Sequence, residues 1–104
     1  MEKWKDKIVI VTGGGSGIGE ACAKRFLKAG AKVYITGRTE AKLKRACDSM
    51  GLGAAYIAGD VSKVSDCERI VSTVVKREGR LDVLVNSAGV WIEGPSDTMT
   101  EEQW

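Results

Sequence analysis

Lys7-Ile8-Val9-Ile10-Val11-Thr12-Gly13-Gly14-Gly15-Ser16-Gly17-Ile18-Gly19 is the stretch from which the rest of the chain can be read. Ile8 to Thr12 is too short for a helix and rich in β-branched residues. That suits a strand covered on both faces, as in a parallel sheet. It runs into a loop with five glycines in the seven positions from Gly13 to Gly19, and a helical pattern starts at once. A strand that turns through glycines into a helix N-terminus is a device for holding a phosphate. The glycines let the backbone come close to the ligand, the first helical amides have no internal partners, and the helix dipole favours negative charge there.

Downstream, strands and helices alternate. The first helix is predicted over about Gly17 to Ala29, with Ile18, Ala21, Cys22, Arg25, Phe26 and Ala29 on one face and Gly30 as its C-cap. Lys32 to Thr36 reads as a second strand. Gly37-Arg38-Thr39 is a turn, with Thr39 placed to cap a helix over Glu40 to Met50 whose apolar face is Leu43, Ala46, Cys47 and Met50. Ala54 to Ala58 is a third strand, closing on Gly59-Asp60. Ser62 or Ser65 is the expected cap of a third helix over Lys63 to Glu78, with the stripe Val64, Cys67, Ile70, Val71, Val74 and Val75. Leu81 to Asn86 is a fourth strand, followed by Ser87-Ala88-Gly89 and a loop containing Pro95. The order βαβαβαβ with right-handed crossovers implies an α/β fold with a doubly wound parallel sheet, strand order 3-2-1-4. The glycine loop then lies where the winding reverses, in the crevice where open α/β sheets bind ligands.

Composition narrows the function classes. The 104 residues suffice for one small domain, with 43% hydrophobic and 29% charged residues and a net charge of +2. That charge is too weak and too mixed for nucleic acid or an anionic membrane as the main partner. No apolar run approaches the roughly 18 residues of a membrane span, and the charged N-terminus lacks a signal-type apolar region, so the expectation is a cytoplasmic protein. Cys22, Cys47 and Cys67 each fall on the apolar stripe of a predicted helix and read as buried thiols. With no histidine in the chain, a Cys/His metal site and a Ser-His or Cys-His catalytic pair are excluded, and no metal is expected.

Thr100-Glu101-Glu102-Gln103 fits a capping box, a start signal for a fourth helix that Trp104 cuts short. The expectation is a domain truncated at that point. The third crossover should lie on the opposite face from the first two. The fourth strand should then be an open edge, and exposed apolar faces of strands one and four should drive a homo-oligomer.

The glycine loop does not match Gly-x-Gly-x-x-Gly in any register; it matches Thr12-Gly13-x-x-x-Gly17-x-Gly19. With Asp60-Val61 after the third strand and Asn86-Ser87-Ala88-Gly89 after the fourth, the chain resembles the short-chain dehydrogenase/reductase family over essentially its whole length. The resemblance implies a partial NAD(P)-binding Rossmann domain over residues 1–104. It implies that the amides around Gly15, Ser16, Gly17 and Ile18 face the pyrophosphate, with Gly13 and Gly19 permitting the turn and close helix–strand packing. It implies that Asp60 and Val61 contact the adenine, and that Asn86, Ala88 and Gly89 line the riboses. Asp60 and Asn86 can also serve strand ends by bonding backbone groups.

Cofactor choice is partly legible. An NAD site usually has an acid at the end of the second strand, about 20 residues past the loop. Gly37 stands there, followed by Arg38, which can grip a 2′-phosphate bidentately, and by Thr39. The reading is NADP(H) in preference to NAD. The family's catalytic Ser and Tyr-x-x-x-Lys find no match here, since Tyr34 and Tyr56 are followed four residues on by Arg38 and Asp60. The expectation is therefore the cofactor-binding portion of an oxidoreductase that moves hydride between nicotinamide and an alcohol/carbonyl pair, itself inactive and with no catalytic residue of its own. The alternative is a non-catalytic dinucleotide-binding module; a methyltransferase-like binder would want an acid where Gly37 stands.

Overall fold

In the computed structural model, which describes residues 4–13, 17–51, 53–86 and 90–93, the glycine loop separates β1 (Ile8–Thr12) from α1 (Gly17–Lys28). The chain continues through β2 (Lys32–Gly37), α2 (Glu40–Met50), β3 (Ala54–Ala58), α3 (Val64–Glu78), β4 (Val83–Asn86) and β5 (Val90–Glu93). The sheet order is β3-β2-β1-β4-β5. β1 pairs in parallel with β2 and with β4, and β2 with β3, so the expected 3-2-1-4 arrangement is present.

All five residues of β1 are buried, because the strand is covered on both sides. Val9 and Val11 pack with Val33, Ile35, Val83 and Val85 against Ala23 of α1 and Leu43 and Ala46 of α2. Ile8 and Ile10 face the other way, with Tyr34, Ile57 and Leu84, against Ile70 and Val74 of α3. This division follows from crossover handedness: two right-handed crossovers leave β1 in one direction, and the third returns across β1 with its helix on the opposite face. Each fully buried Val, Ile or Leu side chain contributes about 1.5–3 kcal/mol.

The helix ends follow glycine chemistry. At α1 the Ala31 amide donates to the Phe26 carbonyl at 3.0 Å and the Gly30 amide to that of Leu27 at 3.0 Å, with Gly30 at φ 95°. This six-to-one and five-to-two pair of bonds needs a left-handed residue where Gly30 stands. α3 ends likewise on Gly79, whose amide reaches the Val75 carbonyl at 2.7 Å.

Several expectations change. α1 is rotated from its predicted face: Ala21 and Arg25 are exposed and Ile18 is 67% exposed, while Gly19 and Ala23 are buried. Two small residues four apart let the helix backbone lie close to the sheet, which outweighs the larger side chains on the neighbouring stripe. Cys22, Phe26 and Leu27 flank that contact, and the Trp4 ring meets Phe26 edge-on at 5.1 Å. Neither Ser62 nor Ser65 caps α3. Lys63 is the N-cap and makes no side-chain capping bond; Thr39 takes the N-cap position of α2 without one.

The fourth strand is not an open edge. β5 pairs antiparallel with it, from Val83↔Glu93 to Asn86↔Val90, where a loop was expected. The short run Val90-Trp91-Ile92 is β-prone, and pairing satisfies an edge that would otherwise present free backbone groups. Nor are the apolar faces of β1 and β4 exposed: Ile8, Ile10, Val83, Leu84 and Val85 are all buried within the single chain. Ile70 and Val74 of α3 pack with Ile8, Ile10 and Leu84, which removes that ground for a homo-oligomer. The capping box at Thr100, the start of a fourth helix and the Pro95 loop lie outside the described residues.

Candidate dinucleotide-binding site

The site lies at the carboxyl ends of β1, β2, β3 and β4. At the end of β1, Gly13 takes φ 68°, a left-handed conformation that favours glycine, and its amide donates to the Thr36 carbonyl at 2.7 Å. That bond fixes the exit of β1 to the end of β2. The Thr12 hydroxyl, buried, donates to the Val85 carbonyl at 3.3 Å and ties the same point to β4. α1 starts at Gly17, where an added Cβ would meet nothing within 4 Å. Backbone there is open to a close approach, next to the unpaired amides of the first turn. Ile18 beside it is largely exposed.

The end of β2 carries Gly37, Arg38 and Thr39, the last two exposed. The Gly59 amide donates to the Gly37 carbonyl at 2.8 Å, which draws the β3–α3 turn alongside them. In that turn Asp60 is held from both ends. Its Oδ1 accepts the Ser62 amide at 3.0 Å and the Ser62 hydroxyl at 2.6 Å, and its own amide donates to Asp66 Oδ2 at 2.7 Å. The bonds from Ser62, and the positive charges of Arg38 and Lys63, hold the Asp60 carboxyl below the usual carboxylate range. Asp60 therefore stays ionised near Arg38. The Cys67 thiol donates to the Val61 carbonyl at 3.0 Å, so α3 also fixes Val61.

Of the residues expected in the site, Gly13, Gly17, Ile18, Arg38, Thr39, Asp60 and Val61 gather at this end of the sheet, and Gly19 is buried one turn into α1 against the sheet. Asn86 closes β4 in register with Thr12. Gly15, Ser16, Ala88 and Gly89 lie outside the described residues. Two contributors escaped the sequence reading. Ser62 and Asp66 hold Asp60, and the Asp60-x-Ser62 spacing of an Asx turn is a signal that could have found the first. Near them Thr36, 1% exposed, has a hydroxyl with no hydrogen-bond partner. No group of acids and cysteines among the described residues could hold a metal ion, and no helix among them is long and apolar enough to cross a membrane.

These features suit a dinucleotide: an open helix N-terminus for phosphates, an exposed guanidinium at the end of β2 and an orphaned buried hydroxyl two residues before it. The family model for short chain dehydrogenases matches residues 7–104. The chain belongs to the short-chain dehydrogenase family of oxidoreductases. An uncharacterized oxidoreductase of Thermotoga maritima is 44% identical over 104 residues, covering 97% of this chain and 41% of the relative. Among solved structures, a 3-ketoacyl-(acyl-carrier-protein) reductase from Brucella melitensis complexed with NADH superposes with a TM-score of 0.72 at 40% identity, over 77% of this chain and 33% of that one. An actinorhodin polyketide ketoreductase with NADPH gives a TM-score of 0.76 at 35% identity, over 95% and 39%. The chain thus spans about two-fifths of the length of the curated relatives it matches.

Proposed function

We propose that this short-chain dehydrogenase chain is the partial Rossmann domain that binds NADP(H) for a longer cytoplasmic enzyme, acting on a small alcohol/carbonyl substrate. The observation that carries the cofactor preference is the exposed Arg38 next to Gly37, where an NAD site usually has an acid. A carboxylate there repels a 2′-phosphate; a guanidinium forms charge-assisted bonds to it. Asp60, ionised alongside, helps draw Arg38 toward the turn. Gly13, Gly15, Ser16, Gly17, Ile18 and Gly19 hold the pyrophosphate in this reading, Arg38 and Thr39 the 2′-phosphate, and Asp60, Val61, Asn86, Ala88 and Gly89 the adenosine and riboses. The bound dinucleotide supplies or accepts a hydride.

The chain's own residues bind and orient that cofactor, and neither of its two tyrosines is placed to give a proton to the carbonyl. Tyr34 donates to Glu78 beneath the opposite end of the sheet, and Tyr56 to Glu40 at 3.4 Å. Neither has a lysine four residues on. The chain alone is accordingly inactive, and the length of its relatives fits chemistry supplied by a further part of the protein.

Fluorescence titration with NADPH and NADH tests the preference. Arg38→Ala should weaken NADPH binding about tenfold or more, as expected for lost hydrogen bonds to a charged group, and leave NADH nearly unchanged. Gly37→Asp should reverse the preference. A Cβ at Gly37 meets only Leu43 Cδ2 at 3.4 Å, an ordinary contact, so this variant should fold. Equal losses for both dinucleotides in Arg38→Ala would refute the assignment.

A further inference from the structure

Thr36 is a buried polar residue whose own bonding is incomplete. Its Oγ1 is the one buried side-chain polar atom among the described residues without a partner. It stands in register with Thr12 of β1 on one side and Ile57 of β3 on the other. Alternation along β2 turns it to the face of Tyr34, the face that packs on α3. Thr12, its neighbour, shows the ordinary solution, a bond from its hydroxyl to the Val85 carbonyl. Thr36 has no such bond, although a valine of the same shape would avoid burying an unpaired hydroxyl.

Its position gives the hydroxyl a use. Thr36 lies two residues before Arg38, and its carbonyl holds the Gly13 amide at 2.7 Å. Ile57, beside it, leads through Gly59 to Asp60. The residue therefore lies at the carboxyl ends of β1, β2 and β3, where open α/β sheets take ligands.

We propose that Thr36 is the polar floor of the adenosine end of the dinucleotide site, and that dinucleotide binding uncovers its Oγ1, which only then makes its missing hydrogen bond, directly or through one ordered water. The proposal rests on the dinucleotide reading above. Without ligand the hydroxyl is desolvated and unpaired, and it weakens the fold. With ligand it gains a partner, and it strengthens binding. One atom thereby couples stability and affinity with opposite signs.

Wild type, Thr36→Val and Thr36→Ser separate these effects through thermal unfolding of the ligand-free chain and calorimetric titration with NADPH. Thr36→Val should raise the ligand-free Tm by about 4–8 °C and weaken NADPH binding about threefold to tenfold. Thr36→Ser, which keeps the hydroxyl and loses a methyl group, should lower Tm yet keep the wild-type affinity. A lower Tm in Thr36→Val, or an unchanged NADPH affinity, overturns the proposal. Wild type that binds no dinucleotide overturns the functional reading and this inference together, whereas wild type that binds NADPH as tightly as Thr36→Val overturns this inference alone.

Discussion

Removing the Glu78 carboxylate should destabilise the chain in a pH-dependent way. Glu78, the last residue of α3, accepts hydrogen bonds from Lys32 Nζ at 2.8 Å and from the Tyr34 hydroxyl, and so clamps α3 to β2 at the end of the sheet away from the site. Tyr34 is buried, so Glu78→Ala leaves its hydroxyl short of an acceptor, at about 1–3 kcal/mol. The Lys32 side chain is 46% exposed, which limits the ion pair to about 0.2–1 kcal/mol. A negative charge at a helix C-terminus is unfavourable by about 0.3–1 kcal/mol, and its removal offsets part of the loss. The net expectation is about 1–3 kcal/mol at pH 7, read as a lower midpoint in urea unfolding.

The bonds from Lys32 and Tyr34 hold the Glu78 carboxyl below its usual range. A group whose folded pKa is depressed contributes stability above its unfolded pKa and loses it as pH falls through the folded value. The gap between wild type and Glu78→Ala should therefore be full above about pH 5 and narrow steadily below about pH 4. The bond to Glu78 raises the Lys32 pKa, so that part of the clamp is present below the usual lysine range and fades as pH rises above it. Tyr34→Phe removes one of the two donors and should cost less than Glu78→Ala. A Glu78→Ala midpoint equal to wild type at pH 7, or a gap unchanged at pH 3, would refute the clamp.

Two further substitutions probe the scaffold. Ile70→Ala should cost about 2–5 kcal/mol in urea unfolding, because Ile70 packs in the α3 face of the core with Ile10 and Leu84. A loss under 1 kcal/mol would mean that α3 does not cover that face. Gly13→Ala should cost about 1–2 kcal/mol, since Gly13 sits at φ 68°. It should also weaken dinucleotide binding; an unchanged unfolding midpoint would contradict the turn geometry at the end of β1.

Features fixed by local chemistry were legible in the residues. Ile8 to Thr12 announced a strand buried on both faces because no polar residue interrupts it before Thr12. Gly30, Gly51 and Gly79 marked helix ends because the positive φ they adopt favours glycine. Gly37-Arg38 could be read for charge without knowing its neighbours. Features that depend on neighbours could not be read. The face of α1 is set by how closely Gly19 and Ala23 approach the sheet, which hydrophobic spacing ranks below Ile18 and Phe26. The pairing of β5 depends on an available edge at β4. Ser62 looked like a cap for α3, but Asp60 in the same turn takes its amide and hydroxyl. Thr36 carries no sequence signal at all, since the absence of a partner is a property of the atoms around it.

The central claim is that the crevice at Gly13, Arg38 and Asp60 binds NADP(H) in preference to NAD(H). Parallel calorimetric titrations of the wild-type chain with NADPH and NADH test it most directly. Saturable one-to-one binding of both is expected, with NADPH at least about tenfold tighter through the Arg38 contacts. Equal affinity for the two, or tighter binding of NADH, would contradict it.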